Sequence, residues 1–412
     1  MQESWLKKPV RWQENFDRLM QLYSEHIFLN DHMESGYLTW ENGKILGISK
    51  TSSQDYLDYT DLYIFPGYID NHIHGWACGS FWHEKTADSI YRMKDYLPKT
   101  GVTSFLATSG ADKKNEIVRG VKEAYKVFKD QKTGAQMLGV HLEGPFINKK
   151  YKGMQKEECC IDPDLNLMEQ LVALQGKHHM IRLMTLAPEL KGAKELITFC
   201  KDHQIQCSIG HSDANFDLIK ELKSYGLSGV THMFSGMKGM HHRELGVAGS
   251  ALYFDDLYCE FAKQTGMTVS HEAFDIVYRI KTADRILLTT DCVGYAHVKE
   301  PFHHYIRKET FIPDKKGLCI LKEDGTKTFI DSMDYDQVKH LEMGYNESVV
   351  SLSKHSKVSP LDMIKMTSWN PAVYIGVSNQ KGALYPGYDA DIIVCKPDYE
   401  LVHTFCLGVQ YL

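Results

Sequence analysis

Strand-length and helix-length segments alternate through the middle of this chain. Short apolar runs recur at Ile64–Ile73, Val102–Thr108, Gln136–Leu142, Ile181–Ala187, Ile205–Gly210, Gly229–Phe234, Leu257–Ala262 and Ile286–Thr290. Between most of them lie helix-length stretches whose apolar residues repeat every three to four positions, as in Lys113–Lys129, Lys191–Asp202, Phe216–Tyr225 and His271–Lys281. Strands alternating with amphipathic helices predict a parallel sheet, and about eight such units is the number that closes a (β/α)8 barrel. Alternation alone also fits a doubly wound open sheet.

Both ends of the chain read differently. Met33–Ser49 has strand-like spacing around an Asn42-Gly43 turn signal, the pattern of a hairpin. Gly382–Cys395 reads as a turn and then a strand, and Glu400–Cys406 as another. The expected architecture is an α/β TIM-like barrel with a small β-sandwich domain built from both termini. Residues 1–62 form an N-terminal extension and the first part of the small domain, 63–378 the barrel, and 379–412 the remainder. The first 25 or so residues read as an amphipathic helical extension. Gly294–Asn346, long and charge-rich, reads as a lid or a substrate-side insertion.

Composition narrows the functional classes. A net charge of −6 offers no basic stripe for nucleic acid. No run approaches the ~18 apolar residues of a membrane span, and the N-terminus lacks the apolar core of a signal peptide. The ten cysteines are scattered without a C-x-x-C, which predicts reduced thiols and a cytoplasmic protein. The 20 histidines are the unusual count, because imidazole is a favoured ligand of borderline metals.

Their placement carries the chemistry. His72 and His74 stand two apart at the end of the first run, so both face the same way. His141 and Glu143 end the third run, His211 the fifth, His232 the sixth and Asp291 the eighth. A barrel gathers the C-terminal ends of its strands around one mouth. His72, His74, Glu143, His211, His232 and Asp291 are therefore expected at one divalent metal site, with Zn, Fe, Mn and Co all compatible. Cys292 points away from Asp291 and reads as core.

Through the segments PGYIDNHIHG, GVTSFLAT, HLEGPF, GHSDA, THMFSGM, HRELG, TTDC, NPA and GYDADIIV the chain resembles the amidohydrolase superfamily, and within it the N-acetylglucosamine-6-phosphate deacetylases, a resemblance that runs from about Gly36 to Val394. The resemblance implies removal of the acetyl group from N-acetylglucosamine 6-phosphate, giving glucosamine 6-phosphate and acetate. It implies that Glu143, His211 and His232 hold a metal, and that His72 and His74 hold a second ion bridged by Glu143. Asp291 matches the catalytic acid/base, and Gln155 a residue beside the scissile carbonyl. Arg243 matches an arginine that reaches the substrate phosphate of the neighbouring subunit, which implies a homodimer. No nucleic-acid or membrane partner is implied.

The sugar-contacting positions depart from that pattern. Ser235, next to Gly236, stands where Asn is usual, Thr268 where His is usual, and Lys339–Tyr345 replaces a stretch of small residues. His242, with His241, is a candidate to compensate. Two further readings stay open on the sequence: a hydrolase of a different N-acyl amino sugar or related amide, and a metal-binding paralogue without turnover.

Overall fold

The computed structural model describes residues 18–52, 54–262, 268–304 and 307–412. Eight parallel strands form one sheet in sequence order: Tyr68–Ile73, Val102–Ser109, Gln136–Glu143, Ile181–Leu186, Gln206–Ile209, Leu227–Val230, Tyr258–Ala262 and Ile286–Thr289. Every residue of the second and third strands is buried, as expected of a parallel sheet covered on both faces. The eighth strand returns to the first through backbone bonds just beyond the strand ends. Asp291 N–H donates to His72 O at 2.8 Å, and His74 and Gly75 N–H donate to Cys292 O at 2.8 and 3.0 Å. The sheet is thus closed at the rim that carries the candidate residues.

The helices follow from their sequence period. Lys114–Lys129 buries Ile117, Gly120, Val121, Ala124 and Val127, a stripe at three- and four-residue intervals, and leaves its lysines outside. His271–Lys281 begins where the Ser270 side chain accepts from Ala273 N–H, which satisfies one of the otherwise unpaired amides of its first turn.

A second eight-stranded sheet joins the two ends of the chain. Its order is Val409–Gln410, Leu401–Cys406, Ile392–Cys395, Tyr63–Pro66, Met20–Phe28, Met33–Glu41 and Lys44–Ser49, with Leu57–Asp58 paired to Met20–Phe28. Asn42 and Gly43 both have positive φ, 52° and 71°, the conformation a two-residue hairpin turn demands. Trp40, Leu22, Leu38, Ile64 and Phe405 pack beneath this sheet.

Two sequence expectations are corrected. The run Ile64–Ile73 is two strands: Tyr63–Pro66 pairs antiparallel with Ile392–Cys395 in the terminal sheet, and only Tyr68–Ile73 enters the barrel. The expected N-terminal helix is overturned where the chain is described, because Met20–Phe28 is a strand. A register shift between Ser24 and Ile27 breaks its alternation and lets it imitate a helical period. Residues 1–17 lie outside the described residues.

The charge-rich segment after the eighth strand contains a four-stranded antiparallel sheet, Phe302–His304, Glu309–Asp314, Gly317–Lys322 and Lys327–Asp331. Phe302 and Phe311 stack on Tyr295, with ring centroids 5.8 and 5.0 Å away. That contact fixes the insertion beside the barrel mouth. Among the described residues, no helix is long and apolar enough to cross a membrane.

Candidate metal centre

Three of the candidate residues share one backbone device. His211, His232 and Asp291 each lie two residues beyond a strand end, and each has positive φ: 49°, 32° and 50°. Residues other than glycine adopt this region at a cost and persist there when the surrounding structure fixes them. The bend turns each strand exit across the mouth of the barrel.

The side chains converge on the Glu143 carboxylate, which is 2% exposed. His211 Nε2 and His232 Nε2 both lie 3.1 Å from Glu143 Oε1. His72 Nε2 is 3.4 Å from Oε1, and His74 Nε2 is 3.3 Å from Oε2. Asp291 Oδ1 lies 3.3 Å from both His72 Nε2 and His74 Nε2. Two donor sets result, His72–His74–Glu143 and Glu143–His211–His232, and within each the ligand atoms lie within 4.8 Å of one another. Imidazole nitrogens with a carboxylate oxygen at this spacing are the donors a borderline divalent cation takes. The residues therefore fit one cation, and the shared Glu143 fits a second beside it.

The far sides of His72, His211 and His232 are held, while His74 Nδ1 is buried without a hydrogen-bond partner. Glu260 Oε1 lies 2.7 Å from His72 Nδ1, Tyr151 O lies 2.7 Å from His211 Nδ1, and Ser235 O lies 2.9 Å from His232 Nδ1. Donation of Nδ1–H to these oxygens leaves each Nε2 lone pair directed at the centre. Gln155, 4% exposed, donates from Nε2 to Glu143 Oε2 at 2.6 Å and accepts Ala111 N–H at 2.8 Å, so its orientation is fixed from both ends.

Charge complementarity sets the protonation preferences. Burial alone would raise the Glu143 carboxyl, but His72, His211 and His232 together hold it well below the usual carboxylate range. His141, 4.6 Å in ring centroid from His72, turns to the Thr185 hydroxyl at 2.8 Å. Burial, reinforced by His72, keeps it neutral. Asp70 is pushed up to about 7 by burial, opposed by bonds from Thr290 and from His72 N–H.

A cavity of about 440 Å³ opens above the centre. Gln155, Ser235, Gly236 and Thr268 line it together with Asp291, Glu143, His74, His211 and His232. At Gly236, with φ 57°, a Cβ would stand 3.2 Å from His211 Nδ1, so glycine lets this loop close over the ligand. The opposite wall is aromatic and apolar: Trp82, Val293, Tyr295 and Phe302. His242 and Arg243 do not line the cavity. They stand exposed on the turn where His241 and Glu244 exchange backbone bonds at 2.9 and 3.0 Å. Cys292 is fully buried.

Sequence reasoning missed Glu260 and the aromatic wall. The signal for Glu260 was a lone acid inside the apolar run Leu257–Ala262, where an unpaired carboxylate would be costly. The wall comes from residues distant in sequence and of ordinary type.

A closed parallel barrel that presents two overlapping His/Glu donor sets and an aspartate at its C-terminal rim defines a metal-dependent hydrolase scaffold. The amidohydrolase family model matches residues 63–410, and the chain belongs to that family. The N-acetylglucosamine-6-phosphate deacetylase of Bacillus subtilis is 30% identical over 387 residues, covering 92% of this chain and 93% of that protein. The N-acetylgalactosamine-6-phosphate deacetylase of Escherichia coli O157:H7 is 27% identical over 376 residues, covering 91% and 93%. Among solved structures, the N-acetylglucosamine-6-phosphate deacetylase of Thermotoga maritima superposes with a TM-score of 0.76 at 26% identity, covering 95% of this chain and 99% of that one.

Proposed function

We propose that the protein hydrolyses the acetamido group of N-acetylglucosamine 6-phosphate, releasing acetate and glucosamine 6-phosphate. The observation that carries this reading is the Glu143 carboxylate, shared between two imidazole sets, with Asp291 3.3 Å from His72 and His74 at the floor of a cavity sized for an amino-sugar phosphate. The names of the B. subtilis and T. maritima relatives support the substrate.

Glu143, His211 and His232 would hold one divalent ion, drawn from Zn, Fe, Mn or Co, and His72 with His74 a second. A cation held there would supply Lewis acidity toward the amide carbonyl and toward water. The chain's own residues do the rest. Asp291, its side chain 31% exposed in the cavity, takes the proton from the attacking water and delivers it to the departing nitrogen. Gln155 keeps Glu143 oriented and offers an amide beside the carbonyl. Ser235, Gly236 and Thr268 contact the sugar. Arg243, exposed on its turn, would serve the phosphate of a neighbouring subunit in a homodimer, and His242 beside it would supply the imidazole that Thr268 lacks. The ten thiols, all free of disulfides, support a cytoplasmic location.

A second reading is favoured by Ser235 and Thr268, which line the cavity in place of the usual Asn and His: a related N-acyl amino sugar, including the galacto epimer named for the E. coli relative. Acetate release from a panel of N-acetyl hexosamines, with and without 6-phosphate, tests both readings. Each assay is run on protein stripped by a chelator and then reloaded with one metal. Turnover is expected only after reloading and highest on N-acetylglucosamine 6-phosphate. Metal-replete protein that releases acetate from no member of the panel would refute the proposal.

A further inference from the structure

The chain that follows Asp291 is gripped from two sides. On one side Val293 pairs in parallel with Gly75, and the Ser80 hydroxyl donates to Val293 O at 2.9 Å. Gly294 fits so closely there that a Cβ would stand 2.9 Å from Ser80 Cβ. On the other side stands Glu342. Its Oε1 accepts Val293 N–H at 2.6 Å, and its Oε2 accepts Gly294 N–H at 2.7 Å and Tyr295 N–H at 3.3 Å. The next residue, Met343, accepts from Cys292 Sγ at 3.3 Å. Gly294, at φ 73° and ψ 58°, turns successive amides toward one point, a concavity that favours an anion.

We propose that Glu342 is a positioning residue for Asp291, acting through these three peptide groups. The proposal rests on the reading of Asp291 as the proton carrier. Asp291 occupies a left-handed conformation at φ 50°, which a non-glycine residue keeps only while its flanks are held. The flank before it is held by Asp291 N–H on His72 O, at 2.8 Å. The flank after it is held by Gly75 and Ser80 through Val293 and, at its three successive amides, by Glu342. A carboxylate is required because both oxygens accept. A glutamine of the same shape would set its NH2 against at least one of the three N–H donors. Loosening this turn frees the Asp291 carboxylate from its place against His72 and His74 without removing any metal donor.

The test is a cycle of Glu342→Gln and Asp291→Asn, measuring kcat, KM and metal content on N-acetylglucosamine 6-phosphate. E342Q alone is expected to lower kcat about tenfold or more, with KM changed less than about threefold and metal content unchanged. Added to D291N, it is expected to change the residual rate less than about twofold, because the group it positions is already gone. Should E342Q fail to fold, Glu342→Asp keeps the charge with shorter reach and enters the same cycle. A loss of equal size in both backgrounds, or E342Q with wild-type kcat, overturns the proposal. D291N with wild-type turnover overturns instead the reading of Asp291 on which it stands.

Discussion

Glu260, in the seventh barrel strand, reaches across to hold His72 Nδ1 at 2.7 Å and accepts the backbone N–H of His232 at 3.1 Å from the same oxygen. One buried carboxylate thus orients a ligand from each donor set. Glu260→Gln preserves the shape and removes the charge. Metal affinity, measured by competition with a chromogenic chelator, is expected to fall ~10–100-fold, the usual loss when an outer partner of a ligating histidine is changed. Affinity equal to the wild type would show that Glu260 is packing alone.

The two overlapping donor sets predict a stoichiometry. Elemental analysis of the purified protein should find two ions per chain. A His72→Asn/His74→Asn double variant should keep one, because Glu143, His211 and His232 remain as a complete set. Glu143→Ala, which strips an oxygen from both sets, should retain neither. A double variant with undiminished metal content would contradict a second site.

Arg243 lies outside its own cavity, so its contribution can be separated by mixing. Arg243→Ala should raise KM for the phosphorylated sugar ~10–100-fold, the worth of a charged hydrogen bond, with kcat nearly unchanged. A dimer of one R243A chain and one D291N chain would contain a single site with both Asp291 and a partner's arginine. Co-refolded mixtures are therefore expected to recover wild-type KM in a fraction of sites. Absence of any recovery would place Arg243 in its own subunit's chemistry, or in none.

Lys94 gives a pH dependence independent of the metal. It is 1% exposed, and its Nζ donates to Gln131 Oε1 at 2.9 Å and Ala135 O at 2.7 Å, with burial lowering its pKa to about 7. In the unfolded chain the group returns to ~10.4. Between those values the unfolded chain binds the extra proton, so stability rises with pH, at most by ~1.4 kcal/mol per unit from this group. Urea unfolding from about pH 7 to pH 10 should show that rise in the wild type and a flatter profile in Lys94→Met. Parallel profiles would rule the lysine out.

The barrel was legible because its strands are buried on both faces and read as unbroken apolar runs. The ligands were legible because His72, His74, Glu143, His211, His232 and Asp291 sit at or just past the ends of those runs. The antiparallel insertion was not. Its strand Glu309–Asp314 is mostly half-buried and Lys327–Asp331 mostly exposed, and each begins and ends on a charged residue, so neither period stands out. Glu260 escaped notice because it lies within a strand rather than at its end, where only the closed barrel reveals what it faces. Met20–Phe28 was misread because a bulge interrupts the two-residue period that identifies a strand.

The sheet that ties Tyr63–Pro66 to Ile392–Cys395 has a consequence for how the molecule is made. Its early strands pair with one another, but Tyr63–Pro66 leaves the ribosome long before its partner Ile392–Cys395 exists. The hairpin Met33–Ser49 and the strand beside it must wait, with an apolar face uncovered, until synthesis is nearly finished. Such non-local pairing is slow to form and prone to association while incomplete. Ribosome-bound chains stalled before Ile392 should therefore need chaperone protection that the released protein does not.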